Sequence, residues 1–265
     1  MPHYEPDATP TAQIRPEQIR ASVILCCGED KGFFVAALGE LGFPLNTPLA
    51  EFRGYSIWTH AEITIVLASI GTGSVEPILY ELLGTGRVER IVLVGTAGRL
   101  GARPLALGTA FAISEAYLSG TGLDREVKDQ PLRPHWPGLE NGPTASIVSS
   151  DFFYGFSPAL RPGDYRHRLP CLRQDFERLV GQVDLVDMEV AQFYALCRLM
   201  PEQPGLCFLA FKGASNAVEN HGEQNAHAPS VLLNCLRQAL AVLGLGGDLR
   251  AGRVEHPPGA GGDLR

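Results

Sequence analysis

Residues 90–98 read Arg-Ile-Val-Leu-Val-Gly-Thr-Ala-Gly, a continuously apolar, largely β-branched run that stops at a glycine-bearing turn from Gly95 to Gly98. Such a run, bounded by turn residues, reads as a strand buried on both faces. The same grammar occurs at Ser22–Cys27, which ends at Gly28, and at Ile63–Ile70, which ends at Gly71-Thr-Gly73. Tyr55–Trp58 joins the latter through a tight turn. Between these runs the apolar spacing turns helical. Phe33, Phe34, Ala37, Leu38 and Leu41 share one face, and Val75–Leu83 forms a second helix with Pro77 in its first turn. Strands alternating with helices predict an α/β fold, here a single-domain three-layer α/β/α arrangement around a central mixed, mostly parallel twisted sheet.

The pattern continues downstream. Ala110–Tyr117 and Ala145–Ser150 read as strands, separated by Gly120–Pro143, a stretch with four prolines and no period that reads as a functional loop. Val190, Phe193, Tyr194 and Cys197 place a helix over Glu189–Met200, preceded by a strand around Val186. Leu206–Lys212 is the last central strand. Pro229 opens the closing helix, and Gly244 ends it. Residues 14–245 thus form one domain, flanked by mobile tails at 1–13 and 246–265. The second tail holds both copies of Gly-Gly-Asp-Leu-Arg, at 246–250 and 261–265, to which no role is given.

The 265-residue chain carries 29 acidic and 22 basic residues, a formal charge of −7, which argues against a nucleic-acid partner. No apolar stretch approaches the roughly 20 residues that span a bilayer. The N-terminus lacks a secretory pattern, and most of the six cysteines sit in apolar segments, so a cytoplasmic protein with buried thiols is expected.

Several motifs are missing. There is no Gly-Lys phosphate loop, and Gly71-Thr-Gly73 lacks the third glycine of a dinucleotide fingerprint, because Glu76 stands there. Gly213-Ala-Ser-Asn-Ala217 falls one residue short of a serine-hydrolase elbow, and His221 and His227 follow too soon to complete a triad. Those histidines read as a solvated loop. No His or Cys spacing specifies a metal, so neither metal nor organic cofactor is expected.

What remains is carried by the strand ends. Gly28 and Gly95–Gly98 allow main-chain amides to approach an anion, with the Thr96 hydroxyl beside them; tight strand-to-helix turns are the simpler reading. In Val186-Asp-Met-Glu-Val-Ala191, Asp187 and Glu189 flank Met188 at a strand-to-helix junction. They suit paired sugar hydroxyls, and equally suit acids that stabilise a helix start.

Taken in order, Gly28-Glu-Asp-Lys31, Arg53-Gly-Tyr-Ser-Ile-Trp58, Ser69-Ile-Gly-Thr-Gly73, Val94-Gly-Thr-Ala-Gly98, Ser149-Ser-Asp-Phe-Phe-Tyr154, Asp187-Met-Glu189 and Lys212-Gly-Ala-Ser-Asn216 resemble the nucleoside phosphorylase and nucleosidase superfamily. The likeness spans about residues 14–243 and is nearest to the uridine and hexameric purine phosphorylase branch. It implies cleavage of a nucleoside C1′–N bond through an oxocarbenium-like state. By the resemblance, Glu189 binds the ribose hydroxyls and acts in catalysis, with Met188 and Asp187 beside it, and Phe153 stacks on the base. Asn216 takes the base-protonating position. Gly28, Lys31, Thr96 and Arg53 hold phosphate, the last in trans from a neighbouring subunit, which implies a homo-oligomer, a dimer or trimer of dimers.

The chain departs from that pattern in four places. Leu93 stands where the phosphorylases carry an arginine, and Lys31 and Gly32 replace a second one, so Lys31 supplies a point charge without a bidentate fork. Ser157, Pro158 and Ala159 fill the stretch where the uridine branch reads uracil, and Arg161 lies further on. Asn216 replaces the aspartate of adenine-cleaving members. Its amide suits a 6-oxopurine, because it donates and accepts without delivering a full proton. The leading expectation is therefore a phosphorylase acting on a 6-oxopurine nucleoside, with uridine also open and inorganic phosphate as co-substrate. The alternatives are a nucleosidase of futalosine or methylthioadenosine type, with Glu29 or Asp30 orienting water, and a nucleoside-binding homologue without turnover.

Overall fold

The apolar run Ser22–Cys27 forms β1, and its alternating side chains divide between two helical layers. Val23, Leu25 and Cys27 pack with α2 (Thr72–Gly84) and α5 (Val190–Leu199), whereas Ile24 and Cys26 pack with α1 (Lys31–Glu40) and α6 (Gln224–Val242). This two-sided burial is why the strand reads as unbroken hydrophobicity. The computed structural model describes residues 7–120, 130–138, 142–157, 164–199, 204–218 and 224–245. The expected tail 246–265 lies outside them, as do His221 and Arg161.

The remaining strands are β2 (Ala50–Phe52), β3 (Tyr55–Thr59), β4 (Ile63–Ala68), β5 (Arg90–Arg99), β6 (Ala110–Ser119), β7 (Thr144–Ser150), β8 (Leu185–Asp187) and β9 (Cys207–Ala217). They form one mixed sheet in which five of nine pairings among the described residues are parallel. It is the expected three-layer α/β arrangement, with one difference. The sheet is not open throughout, because β5, β9, β6, β7 and β8 close into a ring. Closure needs long, bent strands, and the register slips at Ala97/Gly98 in the β5–β9 pair and at Ile113/Glu115 in the β6–β7 pair provide the bends.

The ring corrects the reading of two motifs. Gly95–Gly98 and Gly213–Asn216 are not turns beyond their strands but strand residues, paired as Gly95 with Lys212, Thr96 with Gly213 and Gly98 with Asn216. Two helix starts also move. α2 begins at Thr72 and α6 at Gln224, so Pro77 and Pro229 sit inside their helices and His227 is helical rather than in a loop. Each proline forfeits one main-chain bond near a helix start, a loss the apolar faces of α2 and α6 outweigh.

Two short helices escaped the sequence reading: α3 (Tyr165–Arg168) and α4 (Pro170–Leu179), which builds a third apolar cluster with Val148, Phe156 and Val186. Of the loop expected over Gly120–Pro143, residues 121–129 and 139–141 lie outside the described residues. Leu132 and His135 bridge to Ala116 and Phe208. Of the expected tail 1–13, residues 7–13 are described. Thr9, Thr11 and Ala12 donate three hydrogen bonds of 2.6–2.7 Å to Glu81 on α2. Among the described residues no helix is long and apolar enough to cross a membrane.

Candidate active site

The carboxyl ends of β1, β5 and β9 meet the β8-to-α5 junction around a cleft of about 170 Å³. Its lining brings together Gly28, Glu29, Thr96, Phe153, Met188, Glu189 and Asn216, with Asp187 at the back. Residues far apart in sequence converge there because the ring places β8 and β9 on either side of β5.

Glu189 is held at both carboxylate oxygens. Its Oε1 accepts from the Gly71 amide at 2.9 Å, and its Oε2 lies 3.1 Å from Lys212 Nζ. Lys212, the single charge in a strand of otherwise apolar or small residues, also stands 3.1 Å from Asp187 Oδ2. Burial alone would pull the Lys212 ammonium toward neutrality, but the charges of Glu189, Asp187 and Glu29 outweigh it and hold its pKa well above the ordinary value. Burial pushes the Glu189 carboxyl up, with the charge on Asp187 adding to it, while Lys212 and the Gly71 amide oppose the rise. Sequence reasoning left Lys212 without a role. The signal was there, since a lysine within a buried strand requires a buried counter-charge.

Asp187 accepts from the Ser149 hydroxyl at 2.5 Å and from the Val190 amide at 3.1 Å. It therefore caps α5 and anchors Lys212, the helix-start reading, and its oxygens are committed inward. Cys27 also lines the cleft, where burial, and then the charge on Glu189, hold its thiol neutral and poorly nucleophilic.

The anion cradle differs from expectation. Gly28 adopts φ +74°, and a Cβ there would fall 3.0 Å from Ile70 Cβ, so the turn requires glycine. Its amide, however, donates to the Ala68 carbonyl at 3.0 Å. The Thr96 amide donates at 2.5 Å to Glu29 Oε1. Both main-chain donors expected to hold phosphate are engaged within the chain, one of them by a carboxylate. Lys31 lies outside the cleft: its ammonium pairs with Glu51 and lies over the Trp58 ring. Arg53 projects from the exposed β2–β3 turn at φ +49°, away from its own cleft lining.

On the opposite wall Phe153 presses on β5. A Cβ on Gly98 would come within 3.2 Å of its ring, so glycine there opens the space that the aromatic fills. Tyr154 meets Phe153 edge-on at 5.4 Å. Asn216 is buried, its Nδ2 donating to the Ala217 carbonyl at 2.8 Å and its Oδ1 accepting from the Ser215 hydroxyl at 3.0 Å. Ser157 is buried, while residues 158 and 159 of the expected base-reading stretch lie outside the described residues.

No protein-family model and no curated protein sequence matches the chain. Solved structures do. Uridine phosphorylase from Vibrio fischeri ES114 superposes with a TM-score of 0.62 at 18% identity, over 92% of this chain and 98% of that one. Purine nucleoside phosphorylase from Toxoplasma gondii, in complex with immucillin-H, gives 0.60 at 17% identity over 90% and 99%. A 5′-methylthioadenosine/S-adenosylhomocysteine nucleosidase from Colwellia psychrerythraea 34H, in complex with adenine, gives 0.60 at 18% over 85% and 96%. The chain has the fold of the nucleoside phosphorylases and nucleosidases. At the level of fold, the resemblance drawn from the ordered motifs holds. Phosphorylases and nucleosidases share this fold.

Proposed function

We propose that this chain cleaves the N-glycosidic bond of a purine-type nucleoside with water as the acceptor, releasing free base and ribose. The observation that carries this reading is Glu29, whose carboxylate occupies the Thr96 amide where an attacking phosphate would seek a donor. Charge supports it. The described cleft lining holds the carboxylates of Glu29, Asp187 and Glu189 and no lysine or arginine, and the single Lys212 ammonium behind it offsets only part of that charge, a field that disfavours a dianion and favours a cationic sugar. Phosphorolysis, the leading expectation from sequence, needs the opposite field.

In this scheme Glu189 accepts from the ribose hydroxyls. The Gly71 amide and Lys212 fix its orientation, and carboxylate lone pairs remain for substrate. Met188 packs on the sugar, and Phe153 on the base. As the C1′–N bond breaks, its electron pair leaves with the base, and the deficient C1′ is stabilised by the surrounding carboxylates. Glu29 takes a proton from water as the water oxygen bonds to C1′, and the departing base, an anion steadied by the Asn216 amide, takes up a proton from solvent to leave as the neutral base. Asn216 offers an amide to the base edge and no acidic proton, which suits a 6-oxopurine over adenine. In this scheme Arg53, at an exposed hairpin tip, has no phosphate to hold in the cleft of a neighbouring copy.

The test is base release from inosine, guanosine, adenosine, uridine and 5′-modified nucleosides, each with and without phosphate. Release from inosine or guanosine that is indifferent to phosphate, with one reducing sugar formed per base, is the expected result. Strict dependence on phosphate would overturn the acceptor, and tight nucleoside binding without any release would make the protein a binding homologue.

A further inference from the structure

We infer that Arg166 is a positioning residue that sets the aromatic wall of the cleft through the main chain of the turn carrying it. Phe153 and Tyr154 open a single 3-10 turn, Phe153–Phe156, directly after β7. A turn this short leaves carbonyls without partners at its end. Arg166 supplies them: one guanidinium nitrogen, Nη1, donates to the Gly155 carbonyl at 3.0 Å and to the Ser157 carbonyl at 2.8 Å. The same guanidinium lies 3.7 Å over the Phe176 ring of α4. The side chain is buried, and its Nε has no hydrogen-bond partner among the described residues.

That arrangement is unusual for a residue with only a packing task. A buried guanidinium is costly, and here it is spent on two main-chain carbonyls and an aromatic face. Desolvation accordingly lowers its pKa from the ordinary arginine value. A second contact drives the turn against the same helix. A Cβ on Gly155 would lie 2.9 Å from Leu172 of α4, so main chain and helix are already in close approach. Phe156 is fully buried against Phe176. The turn is thus held from below by α4 and from the side by Arg166, while its first ring reaches Gly98 across the cleft. Lysine cannot reproduce the hold, because a single ammonium has no planar face to stack on Phe176 while bonding both carbonyls.

The inference rests on the reading of Phe153 as the base-stacking wall, and two measurements separate its failure from the failure of that reading. Hydrogen exchange of the Gly155 and Ser157 amides, which close the turn onto Phe152 and Tyr154, reports the hold without reference to catalysis. In Arg166→Met and Arg166→Lys these amides should exchange at least about tenfold faster, with α4 amides as the control for folding. In the same variants KM for inosine, or the Kd of free hypoxanthine if no nucleoside turns over, should rise by about tenfold, while kcat changes by less than about threefold. Arg166→Lys, which keeps the charge, carries the test if Arg166→Met does not fold. Unchanged exchange would remove the hold, and faster exchange with unchanged KM and Kd would remove the positioning role. A fall in kcat equal to the loss in kcat/KM would also overturn it, since base stacking acts already in the bound ground state.

Discussion

Lys212 Nζ stands 3.1 Å from Glu189 Oε2, with both side chains closed off from water. The ammonium also meets Asp187, so one cation is shared by two carboxylates that the cleft needs in fixed positions and offsets part of their charge. Removing the cation while leaving the carboxylates strands buried charge, whereas removing one carboxylate as well relieves it. Lys212→Met should therefore cost about 3–5 kcal/mol in urea unfolding. The double variant Lys212→Met, Glu189→Gln should cost clearly less than the two single changes added together. Strict additivity would contradict the coupling.

In the proposed mechanism Glu29 decides the acceptor, and an isosteric change isolates its charge. Glu29→Gln keeps an oxygen for the Thr96 amide but cannot take a proton from water. Turnover should fall by about 100-fold or more with little change in thermal midpoint. Undiminished turnover in the variant would show that the carboxylate activates no water, and the proposed mechanism fails; base release that returns only with millimolar phosphate would show the carboxylate excluding the anion.

Much of this site is legible in the sequence, and the parts that are not have physical reasons. Glu189, Met188, Phe153 and Asn216 are found because strand-end motifs lie in a fixed order along the chain. Gly28 and Thr96 are found as cleft residues, but which acceptor their amides serve is decided by through-space contacts with Ala68 and Glu29 that no spacing encodes. Lys31 is misplaced because a lysine beside a glycine turn looks the same in sequence whether it faces the cleft or, as here, Glu51 on an adjacent strand. The extension of β5 and β9 beyond their apolar runs follows from ring closure, a tertiary pairing that lets small and polar residues such as Gly95, Thr96 and Ser215 continue a strand.

The β7–β8 side of the ring has an acid-sensitive fastening. Asp184 is bound by Arg103 at 2.5 and 2.7 Å and by the amide and hydroxyl of Ser146 at 2.8 and 2.9 Å. Burial works to raise its pKa, but these donors outweigh burial and hold it below the ordinary 3.8. A carboxyl with a depressed native pKa contributes stability that is fully present above its unfolded value and is lost as pH falls through the native one. Unfolding free energy should therefore drop as pH is lowered below about 4, and Asp184→Asn should be less stable at neutral pH while losing that acid-side component. An equally steep acid limb in the variant would show that other carboxyls carry it.

The identity of the base turns on whether residue 216 can deliver a proton. As asparagine it exchanges hydrogen bonds with Ser215 and the Ala217 carbonyl, and its amide protons are not acidic at working pH. An aspartate there would enter the same buried position, where desolvation favours the neutral acid, and would bring a transferable proton to the base edge. Adenine benefits most from protonation as it departs, whereas a 6-oxopurine leaves with help from a donor at its carbonyl and N7. Asn216→Asp should therefore raise the ratio of adenosine to inosine kcat/KM by about tenfold or more, chiefly through kcat. An unchanged ratio would place the base away from residue 216 and return the substrate question to the Phe153 wall alone.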